Sequence, residues 1–208
     1  MKTIFTSTLL LLLSVITFAQ SKYESGMIKA FEQWEAGTMD EAANTFERIA
    51  SVEKDNWLPA YYVAQLNIIK GFNEKDGTKL AALQEKALNY LNDAKALSKD
   101  NPELKVLEAQ YYTVWIAHDG QRYGMKYAGK VAFLYAEAAK LAPDNPRVVM
   151  GKAEWDMGSA QFFGQSTEPY CKDIERAIAL AKNETNADPF YPKFYETRAQ
   201  EVLADCKK

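Results

Sequence analysis

The chain has 208 residues, with 25 Lys plus Arg against 28 Asp plus Glu, a net charge of −3. That length holds one ordinary domain or one short array of repeats, and a mildly acidic balance without any basic run gives nucleic acid and anionic membrane surfaces no electrostatic footprint. The single histidine, His118, excludes a two-histidine zinc motif and any multi-histidine metal site, so neither metal nor cofactor is expected.

The opening MKTIFTSTLLLLLSVITFAQ carries one positive charge at Lys2, then an uncharged run to Ala19 with short residues at Thr17 and Ala19. This pattern predicts a secretory signal peptide over residues 1–19. Its strongly apolar part, Leu9 to Phe18, is shorter than the roughly 20 residues that span a bilayer. Cleavage would leave residues 20–208, with 24 basic and 28 acidic side chains and a net charge of −4. No cysteine stands at the cut to take a lipid. The expected location is exported, periplasmic or secreted, with no membrane span after cleavage.

From there the chain repeats itself. Turn phrases recur as KDNW at Lys54, KDNP at Lys99, PDNP at Pro143 and, less cleanly, ADPF at Ala187, placing Asp55, Asp100, Asp144 and Asp188 at spacings of 45, 44 and 44. The segments before the turns share one helical phase: Ala42, Thr45, Phe46, Ile49, Val52; then Ala87, Tyr90, Leu91, Ala94, Leu97; then Val131, Leu134, Tyr135, Ala138, Leu141. Ile174, Ala177, Ile178 and Ala181 follow in the last copy. After each turn a second helix is predicted, with Pro102 and Pro146 suited to a first helical turn. Ala64, Ala109 and Ala153 recur at one phase of it, where a small residue allows close helix approach. A lone hairpin cannot bury its apolar face, so the copies must stack.

EAGTMDEAANTFERIASVEKDNW (Glu35 to Trp57) and YAEAAKLAPDNPRVVMGKAE (Tyr135 to Glu154) resemble tetratricopeptide repeats: Gly37 stands at the turn, Ala42, Phe46 and Ile49 at packing positions, and Ala138, Leu141 and Pro143 where that family has its small residue, apolar residue and proline. The period exceeds the family's 34 by about ten residues, and repeats of 40 to 47 also suit other helical arrays. The expected architecture is all-α: a right-handed solenoid of about four helix-turn-helix repeats over residues 20–208, closed by a C-terminal capping helix. The resemblance implies a concave wall made by the first helix of each pair, carrying Phe31, Trp34, Tyr61, Gln65, Gln110, Met150 and Glu154, and implies a protein or peptide partner in that groove. The basic and Asn side chains that clamp a terminal carboxylate in some relatives are missing from these positions.

The surplus residues fall between the two helices of a repeat. In the second repeat Leu80, Leu83 and Ala87 continue a helix, whereas residues 118–129 and 158–171 read as structured loops rich in Gly, aromatic and polar groups. Tyr123, Tyr127, Phe162, Phe163 and Gln165 are candidates for a recognition surface along one edge; the competing expectation is that Phe162 and Phe163 cap the core. Final helices over roughly 169–183 and 192–207 would bring Cys171 and Cys206 to one level, and in an oxidising compartment these should pair. His118 with Asp119 could suggest a base, but it fits a helix end better. No catalytic set, phosphate loop or CxxC is found. The expected function is a non-enzymatic exported scaffold for protein or peptide interactions, the alternative being an exported carbohydrate or small-molecule binder using the two aromatic segments.

Overall fold

A computed structural model describes residues 22–206, so the expected signal peptide lies outside the described residues. Among these the regular structure is all helical: α1 (22–35), α2 (Met39–Val52), α3 (Trp57–Asn73), α4 (Gly77–Leu97), α5 (Pro102–His118), α6 (Gly120–Leu141), α7 (Pro146–Phe162), α8 (Glu168–Ala181) and α9 (Glu196–Cys206). They form four hairpins and a closing helix. The roughly ten extra residues per repeat are helix length, since α4 and α6 run for 21 and 22 residues. Residues 120–129, expected to be a loop, are the first turns of α6. Gly124 and Gly129 cost helix propensity there, but the Asp119 side chain caps α6 by accepting from the Arg122 amide. The other expected loop shrinks to the turn 163–167, because α7 runs through Phe162.

Each inter-repeat turn works through one residue. Asn56, Asn101 and Asn145 stand at the N-caps of α3, α5 and α7, and their side chains accept from the amides of Leu58, Glu103 and Arg147. Asp100 enters its turn in the left-handed region, φ 52°. The fourth copy has Pro189 where the others have Asn, so this cap is absent. The Asp188 side chain accepts instead from the Phe190 amide, and the chain runs on without helix until Glu196. The helix expected from Pro192 therefore starts four residues later.

From α2 to α9 consecutive helices pack together, and α5 also touches both α3 and α7 to form the inner layer. The fixed-phase residues Ala64, Ala109 and Ala153 are at most 1% exposed, and Ala42, Ala87, Ala138 and Ala177 are fully buried. Small side chains thus lie wherever neighbouring helices come closest. Gly151 on α7 is a tight case, since a Cβ there would stand 2.9 Å from the buried Tyr135 ring of α6. At the end of the array Cys171 on α8 is disulfide-bonded to Cys206 on α9, as expected, closing a loop of 35 residues. Such a crosslink stabilises by about 4 kcal/mol in the chain-entropy account, and it fastens the terminal helix where no further repeat supplies a neighbour.

Overpacking at the close approach of α7 to α6 is directly measurable. Gly151→Val should destabilise the fold by about 2 kcal/mol, read as a lower midpoint in urea denaturation with an unchanged slope.

Candidate functional site

The wall formed by α1, α3, α5 and α7 carries the seven residues expected there, but it is not open. The uncapped segment 186–195 turns back across it. Phe190 lies parallel to Phe31 at 6.1 Å and edge-on to Tyr23 at 5.6 Å, while the Tyr62 hydroxyl donates to the Phe190 carbonyl at 2.6 Å. Tyr191 packs edge-on against Trp57, and Tyr195 leans on Trp34. Tyr61 is buried behind them, edge-on to both Trp57 and Tyr62. Burial holds the Tyr61 and Tyr62 phenols well above the ordinary tyrosine range, and burial aided by the Glu103 carboxylate pushes Tyr191 up to about 12. All three therefore remain neutral donors at physiological pH.

Gln65, Gln110, Met150 and Glu154, the remaining wall residues, line a recess of about 140 Å³ roofed by Lys193, Phe194 and Tyr195. The Gln65 side-chain oxygen is buried without a hydrogen-bond partner. Burial raises the Glu154 carboxyl above its ordinary value against the opposing pull of Arg198, which hydrogen-bonds it at 2.9 Å. One end of the covering segment is tied by a three-part ion network. Arg147 on α7 pairs with Glu103 on α5 at 2.8 Å and with Glu184 beyond α8 at 2.7 Å. Burial opposes its charge, but the hydrogen bonds it donates to Glu184 and Glu103 outweigh burial and keep it protonated. This network has no counterpart in the periodicity that revealed the repeats, because it joins repeats rather than recurring within them.

A second aromatic face lies on the α5–α6 hairpin. Tyr123 and Tyr127, four residues apart, are parallel to within 6° at 5.8 Å. Trp115 of α5 meets Tyr123 at 5.1 Å, and Tyr112 meets Tyr127 at 4.9 Å. Beside them Arg122, Lys126 and Lys130 form a cationic stripe at helical spacing, each held over a ring: Arg122 over Tyr123, Lys126 over Tyr127 and Lys130 over Tyr112, at 5.1, 4.9 and 5.9 Å. Lys130 also pairs with Glu108, whereas no carboxylate among the described residues lies within salt-bridge distance of Arg122 or Lys126. Tyr123 and Tyr127 were legible as candidates. Their partners Tyr112, Trp115 and the basic stripe were missed, since reading 118–129 as a loop removed the phase that aligns them.

Phe162 and Phe163 form an edge-on pair, 80% and 72% exposed. They do not cap the core, and among the described residues no ring contact joins them to the Tyr123–Tyr127 pair. Gln165 sits in the adjoining turn, its amide donating to the Ala160 carbonyl. His118 is exposed at the end of α5, facing Gly77 at the start of α4. Among the described residues no cluster of His, Cys, Asp and Glu could hold a metal, and no helix is long and apolar enough to cross a membrane.

The fold is that of a tetratricopeptide-like helical repeat array. No family model and no curated protein matches the chain. Two solved structures are similar to it. The HusA haemophore from Porphyromonas gingivalis superposes with a TM-score of 0.77 at 25% identity, covering 89% of this chain and 92% of that one. A thermophilic TPR protein from Thermus thermophilus gives 0.59 at 15% identity, covering 89% and 81%.

Two substitutions should separate structural from surface roles. Arg147→Ala leaves Glu103 buried without its cation and should cost about 3 kcal/mol or more in chemical denaturation. By contrast, Phe162→Ala combined with Phe163→Ala should leave the thermal midpoint within about a degree of the parent, since surface changes of this kind stay within roughly 0.5 kcal/mol.

Proposed function

We propose that this protein is an exported binding protein, acting by capture and not by turnover, whose cargo is a flat, anionic aromatic molecule of the tetrapyrrole class such as haem, taken at the α5–α6 face. The observation that carries this reading is the aromatic floor of Tyr112, Trp115, Tyr123 and Tyr127 edged by Arg122, Lys126 and Lys130. Flat rings and carboxylates make separate demands. A conjugated macrocycle gains from contact with aromatic faces, and its acidic side chains gain from the Arg122 guanidinium and Lys126 ammonium, which have no competing carboxylate at salt-bridge distance among the described residues. A neutral sugar would use the aromatic floor but leave the basic stripe idle, which makes the carbohydrate reading weaker. The likeness to a haemophore over nine-tenths of both chains supports the same cargo. The disulfide supports an oxidising, exported setting.

Iron ligation is not required by this arrangement, so the stacking surface should accept an iron-free ring as well. Titration of the mature chain with haemin and with protoporphyrin IX, followed by Soret absorbance and tryptophan quenching, should give saturable binding of both. Tyr123→Ala with Tyr127→Ala should weaken it at least tenfold, and Arg122→Ala with Lys126→Ala should weaken it while flattening its dependence on salt. Absence of saturable binding, or indifference to both double substitutions, would refute the assignment.

A protein or peptide partner is the second reading. Its support is the tetratricopeptide-like fold together with the peptide-like segment lying on the inner wall.

A further inference from the structure

Independently of the cargo, we propose that the cleft where the α4–α5 turn meets α6 is a binding site for a phosphate group, carried by a lipid headgroup or free in solution. Four lysines line it, Lys95 of α4, Lys99 of the turn, Lys105 of α5 and Lys130 of α6, around a space of about 380 Å³. The chain as a whole is acidic, and no basic run announces this site, because its lysines are spread over residues 95–130 and only the packing of the hairpins gathers them.

The repeat does not ask for these charges. Lys95 and Lys105 stand five residues before and five after the turn residue Asp100, whereas the same places hold Ala50 and Ala60 around Asp55, and Ala139 and Val149 around Asp144. Ala60 and Val149 are buried, as packing requires of them. The two lysines are therefore a local departure from the pattern. Nor is the positive charge neutralised within the cleft. The buried Glu108 carboxylate accepts from Lys95 at 2.5 Å and lies 3.5 Å from Lys130, so one negative charge serves two lysines. Among the described residues no carboxylate lies within salt-bridge distance of Lys99 or Lys105, and Glu137 feels the Lys105 charge only from farther away. With Asp100 also on the lining, four cations face two carboxylates. Ammonium groups on flexible stems, with no arginine fork among them, suit a compact and multiply charged oxyanion better than a planar carboxylate. Phe133, also on the lining and 57% exposed, offers an apolar surface to the hydrocarbon beside a lipid phosphate.

The test uses the disulfide-intact chain with two kinds of probe. Inorganic phosphate and pyrophosphate are titrated by two-dimensional amide NMR, and phosphatidylcholine vesicles with and without phosphatidic acid are used in co-sedimentation. Saturable shifts confined to residues 98–105 and 130–134 support the site with free phosphate as its source, and sedimentation only with phosphatidic acid supports it with a lipid as the source. Lys99→Ala with Lys105→Ala leaves Glu108 both its partners and should weaken either binding about tenfold, the loss expected for a charge-assisted contact. Lys79→Ala with Lys172→Ala makes the same change in net charge at two exposed lysines outside the cleft and should leave binding unchanged. Equal losses from the two pairs would show general charge attraction and overturn the proposal. Shifts scattered over the surface of the parent, or no binding to any probe, would overturn it without recourse to a variant.

Discussion

The structure depends on helical hairpins approaching closely enough to hide one another's apolar faces. Alanine makes that approach possible. Ala64, Ala109 and Ala153 on the inner helices, and Ala42, Ala87, Ala138 and Ala177 on their partners, are essentially buried, and larger neighbours such as Leu66, Leu91, Leu107 and Tyr135 fill the space around them. Because each hairpin buries itself only against the next, the array has the quasi-linear energetics of stacked repeats, in which the ends need special treatment.

The C-terminal end receives that treatment in an unusual form. With Pro189 in place of a capping Asn, the chain leaves the helical path, crosses the inner wall, and returns as α9, which packs on α8 and joins the apolar cluster that holds Val149, Met150, Ala153 and Met157 of α7. One substitution in the repeat phrase thus converts a hairpin turn into a segment that spans α1, α3 and α7. The disulfide then fixes the returning helix. Capping the array and occupying its groove are two results of the same departure from the pattern.

The two aromatic surfaces differ in how they are charged. At the inner wall Arg147 is satisfied by Glu103 and Glu184, and beside it Arg198 of α9 by Glu154. On α6, Arg122 and Lys126 are held against ring faces instead, so their charge stays available to an anion. The cationic face on the α5–α6 hairpin and the covered inner wall are therefore distinct surfaces of the molecule.

Period, phase and small-residue positions were legible in the sequence because they are properties of local helical geometry repeated every 44 or 45 residues, and the Cys171–Cys206 pairing followed from placing both at matching helix ends. The α6 helix through Gly124 and Gly129 was not legible, since glycine content argues for a loop while capping by Asp119 and packing against α5 argue otherwise. The seven wall residues lie on the inner helices, yet nothing in their spacing indicates that a segment far along the chain covers them. Local sequence determined which segments are helices and which faces they bury. Only the tertiary structure decided what covers the groove and which rings gather beside Arg122 and Lys126, because those contacts depend on where the array brings distant turns together.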